Sequence, residues 1–385
     1  MTMRICFYTE TALPVIGGQE LAIDELARQF QRCGHEVRVL TLRDRKHQQA
    51  HDAPLGYSVT RHARYLSTRY FLNWYRSVIS SVYRHFRFNI LHCHNVYPAG
   101  YIATGWSAGR SIPVVLTSHG CDIAADSHLL RKRGVAERIS TTVSRSDACI
   151  AISPMLAEQF RRFGAPSHRI RQITNGVDVS GLSQPIALPS DMPAWVRPGS
   201  YFLLMGRLVH RKGVDLLLHA YRRIQAHCDT GLVIAGDGEQ IDLLRDLAVR
   251  IGIRERVHFS GMARGSLKTA LLRNALCTVV PSRISEGSAL VVLESFAAGR
   301  PVIASAVPGL VDAITPGRNG WLVPEDSDDG LAEAMLAASS DRRETDRMGG
   351  NARQEATAFD WHQIAARHLE VYRDLLSPGA RTMAA

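Results

Sequence analysis

Two glutamates, Glu286 and Glu294, stand eight residues apart in the stretch 281–305, PSRISEGSALVVLESFAAGRPVIAS. Carboxylates accept hydrogen bonds from sugar hydroxyls. Eight residues at the helical rise separate them by roughly 12 Å, which suits two hydroxyl-rich rings joined by a diphosphate. Upstream, Arg207 and Lys212 share one short loop with Gly206 and Gly213. Arginine grips two phosphate oxygens, lysine adds a point charge and helix-start amides supplement both, so the pair reads as a diphosphate clamp. In the first half, His119 precedes Gly120 at the end of an apolar run. There an imidazole can donate to a ligand oxygen or shuttle a proton. Gly17-Gly18 lets the backbone approach a phosphate and leaves helix-end amides open to it. Each feature also has a plain structural reading: a helix-end carboxylate, a solvated helix residue, surface cations, a capping histidine, a steric glycine.

The elements that must position these groups alternate strand and helix. Strands are expected at Arg4–Thr9, Val37–Leu42, Ile90–His94, Val114–Ser118 and Ala148–Ile152, with Ile173–Asp178 ending a first domain. A second series begins with strand Tyr201–Met205 and helix Val214–Gln225. It continues with strands Gly231–Gly236, Val257–Ser260 and Leu276–Val280 and a helix over Ser288–Ala298 that stops at Gly299. The loop holding Glu286 therefore opens at the carboxyl end of a strand, where open α/β sheets bind ligands. Four prolines between Pro185 and Pro198 mark a linker, placed over 181–199 between domains 1–180 and 200–360. A closing helix, Trp361–Leu376, leads into the tail of 361–385. Asp326-Ser327-Asp328 resembles a metal-binding Asp-x-Asp but reads as the N-terminal cap of the next helix.

Composition bounds the class. The chain has 385 residues, 45% of them hydrophobic and 21% charged, enough for two domains with full cores. No run approaches the ~18 apolar residues of a transmembrane helix, and the start enters a strand without an apolar signal segment. Seven dispersed cysteines without a CxxC pair fit reduced thiols in a cytoplasmic protein. His92 and His94 alternate along one strand face, with no third ligand at usable spacing for a metal.

The net charge of +10 is one-sided. Residues 1–190 hold 23 Lys and Arg against 13 Asp and Glu, while residues 191–385 hold 23 of each. A basic first half points to an anionic partner such as a phosphorylated acceptor or a membrane surface; nucleic acid lacks any supporting motif. The segment Arg69–Arg87 carries Phe71, Trp74, Val78, Val82 and Phe86 near helical spacing among arginines. It reads either as an amphipathic basic helix on an anionic membrane or as a helix packed on the sheet.

Taken together, Gly17-Gly18, His119-Gly120-x-Asp122, Asn175-Gly176-Val177-Asp178, Gly206-Arg207 with Lys212-Gly213, Gly236-Asp237-Gly238 and Glu286-x7-Glu294 resemble retaining glycosyltransferases of family 4. The resemblance spans nearly the whole chain. It implies the α/β GT-B fold: two Rossmann-like doubly wound domains facing a cleft, the C-terminal helix crossing back to the first. It implies transfer of a sugar from a nucleotide-sugar, UDP- or GDP-linked, without cofactor or metal. By it, Arg207 and Lys212 hold the diphosphate, Glu294 the ribose and Glu286 the sugar hydroxyls, while His119 lies by the transferred sugar. Gly17 and Gly18 close over the phosphates and acceptor. Gly238, Gly287, Ser288, Ala289 and Leu290 complete the donor contacts, and His94, Asp122 and Asn175 belong to the acceptor side. After Gly287 the family often has an aromatic and a glycine or proline, where this chain has Ser288 and Ala289.

The acceptor is left open between a small molecule and a lipid-linked glycan, the basic first half and Arg69–Arg87 pointing to the latter at the inner membrane face, in polysaccharide, lipopolysaccharide or glycolipid assembly. Two other functions fit the same architecture: a hydrolysing nucleotide-sugar epimerase, which consumes donor without acceptor, and a protein that binds the donor without turning it over.

Overall fold

The computed structural model describes residues 2–15, 17–43, 55–63, 71–125, 127–287 and 290–377. They form two compact units, one built from the residues before Gly176 together with those from Trp361 onward, the other from Gly176–Asp360.

The first unit is a seven-stranded sheet: β1 (Arg4–Tyr8), β2 (Glu36–Leu42), β3 (Ser58–His62), β4 (Ile90–Cys93), β5 (Val114–Ser118), β6 (Ala148–Ala151) and β7 (Ile170–Gln172). Every pairing is parallel, in the order β3-β2-β1-β4-β5-β6-β7. Alternation along β1 sets its two faces, because successive side chains leave a strand on opposite sides. Ile5 and Phe7 join Ile23, Leu26 and Phe30 of the helix Gly18–Arg32 and Ile364, Leu369 and Tyr372 of the helix Trp361–Leu376. Cys6 and Tyr8 join Tyr75, Ile79 and Val82 of the helix Leu72–Phe86 and Ile139, Leu156 and Phe160 on the opposite face.

The second unit repeats the plan with β8 (Tyr201–Met205), β9 (Gly231–Ala235), β10 (Val257–Gly261), β11 (Cys277–Val280), β12 (Val302–Ser305) and β13 (Gly320–Val323), ordered β10-β9-β8-β11-β12-β13 and parallel throughout. Phe202 and Leu204 face the helix Val214–Ile224, and Tyr201 and Leu203 face Leu271 and Phe296 on the other side.

The linker and the domain bounds are revised here, whereas the sheet-packed reading of the basic helix and the cap reading of Asp326–Asp328 hold. Residues 181–199 are not a free linker. Leu182 and Val196 lie in the core of the second unit, Asn274 Nδ2 donates to Ile186 O at 2.9 Å, and Gly199 N donates to Asn274 O at 2.8 Å. The units part instead after Asn175 and after Asp360, and the C-terminal helix belongs to the first. The helix Leu72–Phe86 buries Tyr75, Ile79, Val82 and Phe86 against the sheet, which takes up the apolar stripe that a membrane would need; Arg69 lies outside the described residues. Ser327 caps the helix Asp328–Ser340 by accepting from Gly330 N, as the cap reading of Asp326–Asp328 requires.

Candidate active site

Strand order reverses direction between β8 and β11 in the second unit, so the loops leaving their carboxyl ends part and open a crevice. Both loops carry expected donor residues. After β8 the chain crosses the Gly236–Gly238 turn, with Leu208 N donating to Asp237 O at 2.9 Å. The approach is so close that a Cβ on Gly238 would lie 2.4 Å from Leu208 O, which explains a glycine there. Gly213 follows Lys212 with φ +63°, and its Cβ would meet Pro281 O at 2.0 Å. The Lys212 turn is thereby seated on the loop that carries Glu286.

Charge fixes the same two loops. Arg283 forks onto Asp215 at 2.7 and 2.8 Å and reaches Asp326 at 2.8 Å, while its own N–H donates to Arg211 O. Burial alone would raise the Asp215 carboxyl, but the hydrogen bonds and charge of Arg283 outweigh it and hold the pKa below the usual range. Within this frame Lys212 Nζ lies 2.6 Å from Glu286 Oε1, which also accepts from Ser282 Oγ at 2.6 Å. The main chain of Glu286 is held too, its N–H donating to Pro308 O. Oε2 of Glu286 has no hydrogen-bond partner among the described residues, although the residue is only 7% exposed. One oxygen is fixed and the other remains able to accept from a hydroxyl.

Glu294, on the helix Leu290–Ala297, pairs with Lys268 Nζ at 2.7 Å. Arg207 is exposed and makes no side-chain hydrogen bond among the described residues, so its guanidinium is free for an incoming anion. Gly287 lies in the loop and Leu290 opens the helix, while Ser288 and Ala289 lie outside the described residues. The helical spacing of the two glutamates is corrected: Glu286 precedes the helix, so a uniform helical rise does not span the pair. Reading the sequence gave no site role to Ser282, Lys268 or Arg283. The signals were a hydroxyl four residues before Glu286 and a lysine on a neighbouring helix, which no spacing rule connects.

In the first unit the reversal falls between β1 and β4. Gln19, just past Gly17-Gly18, stitches the two loops by donating from Nε2 to Thr9 Oγ1, His94 O and Asn95 Oδ1 at 3.0 to 3.2 Å. Glu20 crowds Gly17 so closely that a Cβ there would lie 2.5 Å from its carboxylate, and Glu20 accepts from Thr11. A ligand at this turn would therefore lie beside the Glu20 carboxylate as well as the Gly17-Gly18 backbone.

His119 follows β5 and is partly exposed, with its Nε2 3.2 Å from His94 Nδ1. Burial, aided by His368, lowers its pKa to about 4. It is therefore neutral at pH 7 and suits hydrogen bonding better than proton shuttling. Behind it, His94 stacks on His92 with ring centroids 4.3 Å apart, and His92 bridges Tyr372 Oη at 2.5 Å and Thr117 Oγ1 at 2.7 Å.

Asp122 accepts from Ser118 Oγ at 2.5 Å and from the N–H groups of Val96 and Ile123. Its carboxyl is pushed up by burial, which those bonds only partly offset. His94 and Asp122, expected on the acceptor side, are both fully buried and brace the loops from within. Asn175 is buried at the end of the first unit's leading segment.

Residues 16–180 match the family described as Glycosyltransferase Family 4, and residues 194–355 match Glycosyl transferases group 1. Glycogen synthase of Mycobacterium tuberculosis is 30% identical over 295 residues, covering 75% of this chain and 69% of that protein. The chain belongs to glycosyltransferase family 4. An uncharacterized glycosyltransferase of Methanocaldococcus jannaschii resembles this family 4 protein end to end, at 27% identity over 96% of this chain and 98% of its own length. Among solved structures, Anabaena HepE in complex with UDP superimposes with a TM-score of 0.81 at 21% identity, covering 97% of this chain and all of that one. The family 4 chain thus has the GT-B fold, with two Rossmann-like α/β units, and is a glycosyltransferase. Among its described residues no helix is long and apolar enough to cross a membrane.

Proposed function

We propose that this glycosyltransferase moves a sugar from a UDP- or GDP-linked donor to an acceptor hydroxyl, retaining the anomeric configuration and using no bound metal. The observation that carries the reading is the donor crest of the second unit. Among the described residues, a guanidinium at Arg207 without a side-chain partner, an ammonium at Lys212 with two hydrogens to spare, and two half-satisfied carboxylates, Glu286 on a loop and Glu294 on the helix that follows it, stand at one topological switch point. HepE, of the same fold, has been solved with UDP and with UDP-glucose, which supports a uridine donor as the first to test.

Arg207 and Lys212 stabilise the charge that grows on the leaving diphosphate, the task a metal performs in other sugar transferases. Glu294 accepts from the ribose and Glu286 from the transferred sugar. The acceptor oxygen bonds to the anomeric carbon on the face that the phosphate leaves, and its proton passes to the departing phosphate oxygen. No covalent glycosyl-enzyme forms, and trapping one would rule this route out.

For the acceptor we infer a lipid-linked glycan at an anionic membrane surface, on the basic excess of the first half; the contact is electrostatic because the apolar stripe of Leu72–Phe86 is buried. The deciding experiment is thermal denaturation with UDP, GDP and ADP. Stabilisation by one of them names the donor class. No shift with any would remove the donor assignment, and donor consumption without an acceptor would favour the epimerase.

A further inference from the structure

His94 and His119 share a single hydrogen. Both imidazoles are neutral near pH 7, burial being the first cause in each, so the 3.2 Å contact between His94 Nδ1 and His119 Nε2 is a hydrogen bond with one donor and one acceptor. The ring planes are 22° apart with centroids separated by 5.5 Å, an arrangement in which two ring edges point at each other. The direction of the bond decides what each outer nitrogen carries.

If His119 donates, His94 must keep its hydrogen on Nε2. That atom is buried without a hydrogen-bond partner among the described residues, on a ring that packs against Phe7 and stacks on His92. If His94 donates, Nε2 is left as a bare lone pair. Buried N–H groups without an acceptor are rarer in proteins than acceptors without a donor. The second arrangement is favoured, and it places the hydrogen of His119 on Nδ1.

We propose that His94 is a positioning residue that holds His119 as its Nδ1–H tautomer, so that His119 meets the substrate as a hydrogen-bond donor. The contact with substrate rests on the function proposed above, whereas the tautomer is a property of the free protein. His94 also fixes the ring itself: the loop that carries it is tied to β1 through His94 N to Tyr8 O and through Gln19. A neutral donor of this kind bonds a sugar or phosphate oxygen without competing for its proton.

The test is long-range proton–nitrogen NMR of the full chain carrying nitrogen-15 histidine at pH 7, with the His119 signals identified by their loss in His119→Gln. The expected spectrum of the unsubstituted protein shows His119 protonated at Nδ1. In His94→Phe that preference should collapse to a mixture of tautomers, while UDP affinity, a property of the other unit, stays within about twofold. His94→Asn, whose amide can still donate to Nε2, should restore the Nδ1–H form. Predominant Nε2–H in the unsubstituted protein, or an unchanged tautomer in His94→Phe, overturns the proposal. Should His94→Phe not fold, the unsubstituted spectrum and His94→Asn still decide it. If the tautomer is as expected but His119→Gln leaves UDP-glucose turnover untouched, the positioning role stands and the assignment of His119 to the substrate fails.

Discussion

Both sheets place the first strand of the unit beside its fourth, and both set their chemistry at the loops that part there, yet the two crests are built differently. The second unit's crest is ionic: Lys212 with Glu286, Lys268 with Glu294, and Arg283 across Asp215 and Asp326. The first unit's crest centres on neutral groups, a buried column of imidazoles and hydroxyls running from Tyr372 through His92 and His94 to His119. Fixed charge answers a diphosphate, whereas neutral donors and acceptors answer hydroxyls. One topology therefore serves two ligand chemistries because the strands dictate where the loops part and not what they carry.

Removing charge from the ionic crest should have the largest effect. Lys212→Ala is expected to lower turnover roughly 10²–10³-fold, as for a lost transition-state donor, and steady-state kinetics with the donor chosen by thermal shift will read it. Glu286→Gln should act chiefly on kcat. Glu294→Ala should instead weaken UDP binding by about tenfold or more in calorimetry, the loss of a charged hydrogen bond. The opposite split between these two glutamates would mean that the donor lies the other way round.

The neutral crest should fail in acid first. Among the described residues, six histidines of the first unit have lowered pKa values, His35, His62, His92, His94, His119 and His368, against His258 alone in the second. Such a group is neutral in both states above its unfolded pKa near 6.5, so its contribution is intact there. As pH falls towards the folded value, the unfolded chain binds a proton that the folded unit refuses, and stability is lost. For the buried His368, lowered to about 4, this amounts to roughly 2 kcal/mol by pH 5. Asp122, whose pKa is raised, works in the opposite sense as a single group. Proteolysis across a thermal ramp, with fragments mapped by mass, should therefore show the first unit melting several degrees lower at pH 5 than at pH 7.5 while the second shifts less. Equal shifts would dissolve the contrast. The smallest effect should be Lys268→Met, a few-fold loss in UDP affinity, because Glu294 remains partly exposed and can be resolvated.

What the sequence made legible follows the same physics. Buried parallel strands such as Tyr201–Met205 are continuous apolar runs, and the ends of such strands located the loops with Arg207, Glu286 and His119. The edge strand Ile170–Gln172 is mostly solvated and left no such mark. The helix Arg342–Ala356 was equally silent: it is largely polar and includes Gly349, which lets it lie against Gly299 O, where a Cβ would come within 2.3 Å. The proline-rich stretch suggested a linker because proline counts say nothing of what packs on them, and Trp195 covers Gly231 there. Within the site, individual charges were visible but their partners were not. Lys268 to Glu294, or His94 to His119, are contacts between separate loops and helices that only the fold brings together.

The return of Trp361–Leu376 to the first unit bears on how the protein is born. Ile364, Leu369 and Tyr372 complete the core that Ile5, Phe7 and Phe30 begin, so that unit cannot close while Trp361–Leu376 is still inside the ribosome. Gly176–Asp360 is one uninterrupted segment and is fully extruded sooner. Synthesis from the amino end would normally let the leading domain mature first. Here the trailing one is free to finish ahead of it, and the histidine column is assembled only once Trp361–Leu376 has emerged.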